Sequence, residues 1–153
     1  MEQHIHQLLV SINCAVIQWR GAYAAWAREN QMNYHELLVL YSLRDFPECT
    51  QKMICQQYLL PKQTVNNVIR ELQRKGYAVL RPGRENWREK VIALTEAGQA
   101  YSDGFMKRLE RVEEEAVRSI GAEQLQDMAE LVLRFGQTLK EEFDIETAEH
   151  GKH

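Results

Sequence analysis

The 153-residue sequence predicts a mainly α-helical chain carrying one small β-hairpin. Three observations carry that expectation. Apolar residues recur with helical period along both ends of the chain. Two short helical stretches, joined by a tight connection containing proline, lie in the middle. Directly after Gly76 the apolar period shortens to that of strands. Composition agrees with one packed domain: 44% of residues are hydrophobic and 27% charged, which supplies a core and is too apolar for a disordered chain.

The first segment is the most regular. Ile5, Leu9, Ile12, Val16, Trp19, Tyr23 and Trp26 are separated by 4, 3, 4, 3, 4 and 3 residues. That is a heptad seam on one long helix, and it needs a partner helix to cover it. Asn33, with Glu36 three residues on, forms a capping box for a second helix that carries Leu37, Leu38 and Tyr41 on one face. Phe46-Pro47 ends it, because proline disfavours helix in the residue before it. Thr50 is a good N-cap for a short third helix containing Met53 and Ile54. Leu59-Leu60-Pro61 makes a tight connection, with Pro61 suited to the first turn of a fourth helix. That helix buries Val65, Val68, Ile69 and Leu72, and Gly76 is its C-terminal cap signal. Two helices this short and this close form a helix-turn-helix unit.

Tyr77–Leu80 and Lys90–Leu94 then read as strands, rich in β-branched and apolar residues. Pro82-Gly83 and the polar run Arg84 to Glu89 lie between them, giving a hairpin with a long basic tip. Thr95 caps a fifth helix with Tyr101, Phe105, Leu109, Val112 and Ala116 as its apolar positions, and Gly121 breaks it. Leu125, Met128, Val132, Phe135 and Leu139 carry a sixth helix. The first and last segments hold more apolar seam than one small domain needs and read as the halves of a dimer interface. The expected organisation is a single domain over 1–146: dimerisation helices at about 3–28 and 96–143, the helix-turn-helix and hairpin at about 33–95, and a frayed tail at 147–153.

Several classes of function fall away. Cys14, Cys49 and Cys55 are an odd number without metal-ligand spacing, so neither a disulfide framework nor a metal site is expected. No apolar run reaches the length of a membrane span and no secretory signal follows Met1, so a cytoplasmic protein is expected. There is no Gly-rich phosphate loop, no nucleophile motif and no His/Asp/Glu cluster at ligand spacing, hence no enzyme and no cofactor is expected. His4 and His6 do not share a helix face, and His35 has no evident partner.

The net charge of −3 argues against a nucleic-acid partner until its distribution is considered. Between Leu60 and Lys90 stand eight basic residues (Lys62, Arg70, Arg74, Lys75, Arg81, Arg84, Arg88, Lys90) and three acidic ones (Glu71, Glu85, Glu89), a net +5. The flanks carry −1 and −7. Such a run can be an ordinary solvated face. On the fourth helix, however, 100° per residue sets Gln63, Asn67, Arg70 and Arg74 opposite the apolar stripe, with Thr64 and Asn66 flanking. Two adjacent asparagines are poor helix formers and do little for stability, whereas Asn and Gln pair bidentately with adenine and Arg with guanine or a phosphate. Gln63, Thr64, Asn66 and Asn67 are therefore candidates for bases, and Lys62, Arg70 and Arg74 for phosphates or guanine. The hairpin tip adds Arg84, Arg88 and Lys90, suited to the negative potential of a narrow minor groove. Trp87 packs on the hairpin base or lies over the sugar-phosphate backbone.

The stretch Leu60-Pro61-Lys62-Gln63-Thr64-Val65-Asn66-Asn67-Val68-Ile69-Arg70-Glu71-Leu72, followed by Lys75-Gly76-Tyr77, resembles the recognition helix of the MarR (multiple antibiotic resistance regulator) family. Asn86 through Arg88 to Leu94-Thr95-Glu96-Ala97-Gly98 resembles that family's wing, an Asp-Arg-Arg run followed by Leu-Thr-x-x-Gly. Arg88 falls on the groove-inserting arginine. Asn86 and Trp87 depart from the family's Asp and first Arg, which removes the wing's usual carboxylate support. The six-helix order and the chain length match as well.

The resemblance implies a winged helix-turn-helix lobe plus a helical dimerisation lobe. It also implies a homodimeric, ligand-responsive repressor binding double-stranded DNA at a pseudo-palindromic operator. It implies a ligand cleft between the lobes, which Trp19, Tyr23, Trp26 and Tyr41 can line, although core packing explains these four equally well. Some members sense oxidants through a first-helix cysteine, and Cys14 lies in that segment; with no basic residue or helix N-terminus beside it, a packing role is the simpler reading. The rival from another class is a winged-helix protein-interaction module that binds no DNA.

Overall fold

The structure, a computed structural model, describes residues 2–84 and 86–150. The elements follow the order α1 (Glu2–Glu29), α2 (Tyr34–Asp45), α3 (Gln51–Tyr58), α4 (Lys62–Arg74), β1 (Ala78–Pro82), β2 (Lys90–Leu94), α5 (Glu96–Ile120) and α6 (Ala122–His150). The chain divides into two compact units, with the boundary inside α5 between Phe105 and Met106. Among the described residues no helix is long and apolar enough to cross a membrane.

The first unit is built by local caps. The Asn33 side chain accepts from the Glu36 backbone N–H at 2.8 Å and opens α2. Thr50 Oγ1 accepts from the Met53 N–H at 3.2 Å and opens α3. Leu59, with φ 50°, closes α3 in the left-handed conformation, and Leu60 N–H returns to the Cys55 carbonyl at 3.1 Å. A non-glycine residue rarely sits there, and here it turns the chain within three residues into α4. Pro61 stands at the N-cap with φ −58°, one residue ahead of the first helical turn in which the sequence suggests it. Leu37, Leu40, Ile54, Val65, Leu72 and Val91 form the fully buried centre, so the apolar stripe of α4 packs against α2 and α3.

The hairpin is longer and more tied down than its sequence suggests. β1 and β2 pair antiparallel from Ala78↔Leu94 to Pro82↔Lys90. Pro82 can join because β1 is an edge strand and needs no donor at that position. On the other side of β2, Ile92 N–H donates to the Cys49 carbonyl at 2.8 Å and Thr50 bridges Val91. The α2–α3 connection thus acts as a third, very short strand.

A second polar anchor lies behind the hairpin. Glu36 is buried, 6% exposed, and its carboxylate accepts from the Tyr101 hydroxyl at 2.9 Å. Tyr101 stacks on Tyr77 at 4.5 Å and meets Phe105 edge-on, which in turn meets Trp26 at 6.2 Å. Burial first, and then the Glu36 carboxylate, push the Tyr101 phenol pKa well above its ordinary value. It stays a donor throughout the physiological range.

In the second unit, α5 continues to Ile120, Gly121 takes a φ of 107°, and α6 follows. No residue of α6 is buried. The helix runs on to His150, through Thr147 to His150 where the sequence reads as a frayed tail. Nothing in that stretch breaks a helix, and His150 Nδ1 lies 3.3 Å from Glu146 one turn earlier. The rest of the expected tail, 151–153, lies outside the described residues.

Candidate nucleic-acid interface

The solvent side of α4 carries the side chains that its periodicity suggests. Lys62, Gln63, Asn67, Arg70 and Arg74 are exposed, and Thr64 and Asn66 are half-buried at the edges of the same face. Asn67, Arg70, Glu71, Gln73 and Arg74 line an open groove along it. Two contacts organise this face. Gln63 Nε2 donates to Asn67 Oδ1 at 2.8 Å, joining two candidate base readers one turn apart. Glu71 takes Arg74 in a fork, at 2.8 Å from Nε and 2.7 Å from Nη2, and lies 3.8 Å from Lys75. The Arg74 hydrogen bonds, more than burial opposes, hold the Glu71 carboxyl below the usual carboxylate range. Glu71 is the acidic residue that sequence reasoning left without a role on this face. The helix itself is anchored from α3, where Gln51 Nε2 donates to the Lys62 carbonyl at 2.9 Å.

The hairpin tip is held at its base and open at its end. Glu48, in the α2–α3 connection, accepts from the Arg84 backbone N–H at 3.0 Å and from Arg81 Nη2 at 2.8 Å, and Arg84 Nε lies 3.6 Å away. The same Arg81 nitrogen also donates to the Pro47 carbonyl at 3.1 Å. The Arg84 backbone bond and then Arg81 hold the Glu48 carboxyl below its ordinary pKa. At the tip, Glu89 N–H donates to the Asn86 carbonyl, Gly83 N–H to the Glu89 carbonyl, and Arg88 N–H to Asn86 Oδ1 at 3.2 Å. Trp87 is 74% exposed, with the Arg88 guanidinium 5.5 Å from its ring. Trp87 therefore does not pack on the hairpin base. Arg84, Arg88 and Lys90 are all exposed. Lys62, Arg70 and Lys90 have no carboxylate partner among the described residues.

A sequence model of the MarR family matches residues 30–89, the stretch that holds α2, α3, α4 and the hairpin. No curated protein sequence matches the chain. Among solved structures, the chain is similar to a MarR family regulator from Neisseria meningitidis, at 26% identity and TM-score 0.70, covering 90% of this chain and 97% of that one. Over residues 30–89 the chain is similar to the MarR family, and its fold is that of the MarR family structures it matches. A MarR/EmrR family transcriptional regulator from Acinetobacter shares the fold at 17% identity and TM-score 0.71, covering 89% and 96% of the two chains. So does CouR from Rhodococcus jostii, solved with p-coumaroyl-CoA, at 20% identity and TM-score 0.66, covering 84% and 88%.

The MarR motif after the wing has a physical reason in this chain. Thr95 Oγ1 donates to the Gly76 carbonyl at 2.7 Å and accepts from the Gly98 N–H at 3.0 Å, so one hydroxyl closes α4 and opens α5. A Cβ on Gly98 would lie 1.9 Å from the Tyr77 carbonyl oxygen, so only glycine lets α5 start there. The departures from the MarR wing also find their place. Asn86 keeps a local turn role without a charge, and the carboxylate that touches the hairpin is that of Glu48, at Arg81 and Arg84. Of the suggested ligand residues, Trp26 packs on Phe105, Tyr23 and Tyr41 are half-buried, and Trp19 is 54% exposed. None of the four lines the α4 groove.

Proposed function

We propose that the chain is a sequence-specific DNA-binding transcription regulator that acts as a homodimer on a pseudo-palindromic operator, a repressor released by a small molecule. One observation carries this reading: α4 presents a face of exposed amide and guanidinium side chains, and the same unit carries an exposed, anchored tip bearing Arg84, Arg88 and Lys90. Amides and arginine on a helix read base edges in a major groove, and a basic loop beside it suits the neighbouring minor groove. The homodimer is supported by the apolar seam of α1, where Ile5 and Trp19 stay more than half exposed in the single chain. Response to a ligand is supported by the CouR structure with its p-coumaroyl-CoA, an aromatic thioester. In this chain the aromatic residues Trp19, Tyr23, Trp26 and Tyr41 are the candidates to meet such a group.

Two recognition helices related by a dimer axis enter successive major grooves, so half-site centres are expected about 10 base pairs apart. If about half of Lys62, Arg70, Arg74, Arg84, Arg88 and Lys90 neutralise a phosphate in each subunit, the dimer makes about six such contacts. The logarithm of affinity then falls with the logarithm of salt at a slope near −5. Fluorescence anisotropy over a salt series, with a footprint on the bound duplex, measures both. A slope near zero, or protection of a single half-site, would put the protein-interaction reading in first place.

A further inference from the structure

We propose that Glu48 is the positioning residue of the hairpin tip: reaching from the α2–α3 connection, its carboxylate fixes Arg81 and the backbone at Arg84, and so holds Arg88 and Trp87 in place for a duplex. The inference rests on the DNA-binding reading of the hairpin given above. Three donors converge on this one carboxylate, Arg81 Nη2 at 2.8 Å, Arg84 N–H at 3.0 Å and Arg84 Nε at 3.6 Å. The second of these is a backbone group, so the bond constrains the path of the chain and not merely a flexible side chain. It acts at the residue where β1 has ended and the tip begins. Beyond it the tip is held by its own turn bonds, Glu89 N–H to Asn86 and Gly83 N–H to Glu89. Without Glu48 nothing charged among the described residues ties Arg84 to the body of the unit.

The energetics separate this role from simple stabilisation. Glu48 and Arg81 are each about a third exposed (34% and 33%), and ion pairs so open contribute little to folding. Their effect is on geometry. Removing the carboxylate leaves the fold intact and lets the tip sample other directions, so that binding must first reorder it. Charge alone gives the opposite expectation, because an acidic group close to phosphates repels them and its removal would tighten binding. The sign of the effect therefore decides.

The test uses the full chain and a duplex of about 30 base pairs, long enough for two half-sites, selected from a randomised pool by the wild-type protein. Glu48→Ala is expected to weaken binding about tenfold, with an unchanged circular dichroism spectrum. Glu48→Gln, which keeps an oxygen for the Arg84 N–H, is expected to weaken it less, and it carries the comparison if the alanine variant does not fold. In an Arg88→Ala background the loss on changing Glu48 should largely vanish, because the carboxylate acts through the tip. Equal or tighter binding by both Glu48 variants, or losses that add in full with Arg88→Ala, would overturn the proposal. A second readout is the Arg84 backbone amide in a nitrogen–proton spectrum: its shift should follow protonation of Glu48 in the wild type and not in Glu48→Gln, and a silent amide would also overturn it. A wild-type chain that selects no duplex at all defeats the DNA reading and the role assigned to Glu48 with it, while the amide titration still reports whether the lock exists.

Discussion

Cys49 is fully buried, and burial pushes its thiol pKa up to about 11, so near neutral pH it is a packing group and not a nucleophile. Cys14 is exposed on α1, off the heptad seam. Alkylation of the native protein with iodoacetamide near pH 8 should label Cys14 readily and leave Cys49 untouched until denaturant is added. Peptide mass mapping of the labelled sites checks this, and rapid native labelling of Cys49 would contradict the packing described. The same contrast runs through the charged residues. Glu36 is buried with a hydroxyl donor, whereas Glu48 and Glu71 stay accessible and are held ionised by arginine. A sequence shows three glutamates; only the surroundings make one a structural acceptor and two the partners of basic side chains.

At the scale of elements, α5 starts in close backbone contact with Tyr77, between α4 and the hairpin. Gly98→Ala would drive a Cβ into the Tyr77 carbonyl, and we expect a loss of about 3 kcal/mol in chemical denaturation as the start of α5 shifts. Gly104→Ala, in the same helix with nothing within 4 Å, is the control and should gain about 0.5–1 kcal/mol from helix propensity. Equal effects at the two sites would disprove the steric account. What the sequence made legible here were the local devices. Asn33, Thr50 and Thr95 cap within three residues of themselves, and the α4 face follows from its 100° period. The Glu48 contacts with Arg81 and Arg84 span 33 and 36 residues, and the Cys49–Ile92 bond spans the whole helix-turn-helix. No periodicity encodes such pairings. They exist because packing of α2, α3 and α4 brings the α2–α3 connection to the edge of the hairpin.

At the scale of the molecule, the apolar residues left uncovered are concentrated in α1 and α6. Ile5, Leu8, Val10, Ile17 and Trp19 are exposed on the first, and Leu131, Leu133, Phe143 and Ile145 on the second, each more than 45% accessible. Large apolar side chains left in solvent in such numbers suit an interaction surface. Sedimentation at micromolar concentration should give a dimer, and placing charges at Leu9 and Ile12 on the seam should dissociate or unfold it. A folded wild-type monomer under those conditions would refute the pairing. The charge distribution works in the same direction. With +5 between Leu60 and Lys90 and −7 beyond it, a DNA duplex should be repelled from the acidic part of the chain and directed to the basic one.

The hydrogen bond from Gln63 to Asn67 has a statistical consequence for the sites this protein would choose. Each amide fixes how the other is turned, so neither presents its donor and acceptor independently. A base change that rotates one must rotate its neighbour. Preferences at the two positions they face should then be correlated, and a score that sums single-letter weights will misrank candidate sites. Sequencing of selected duplexes should show dinucleotide frequencies at those positions that differ from the product of the single-base frequencies, and the correlation should disappear in Asn67→Ala. The unit of information on this helix face would be the doublet.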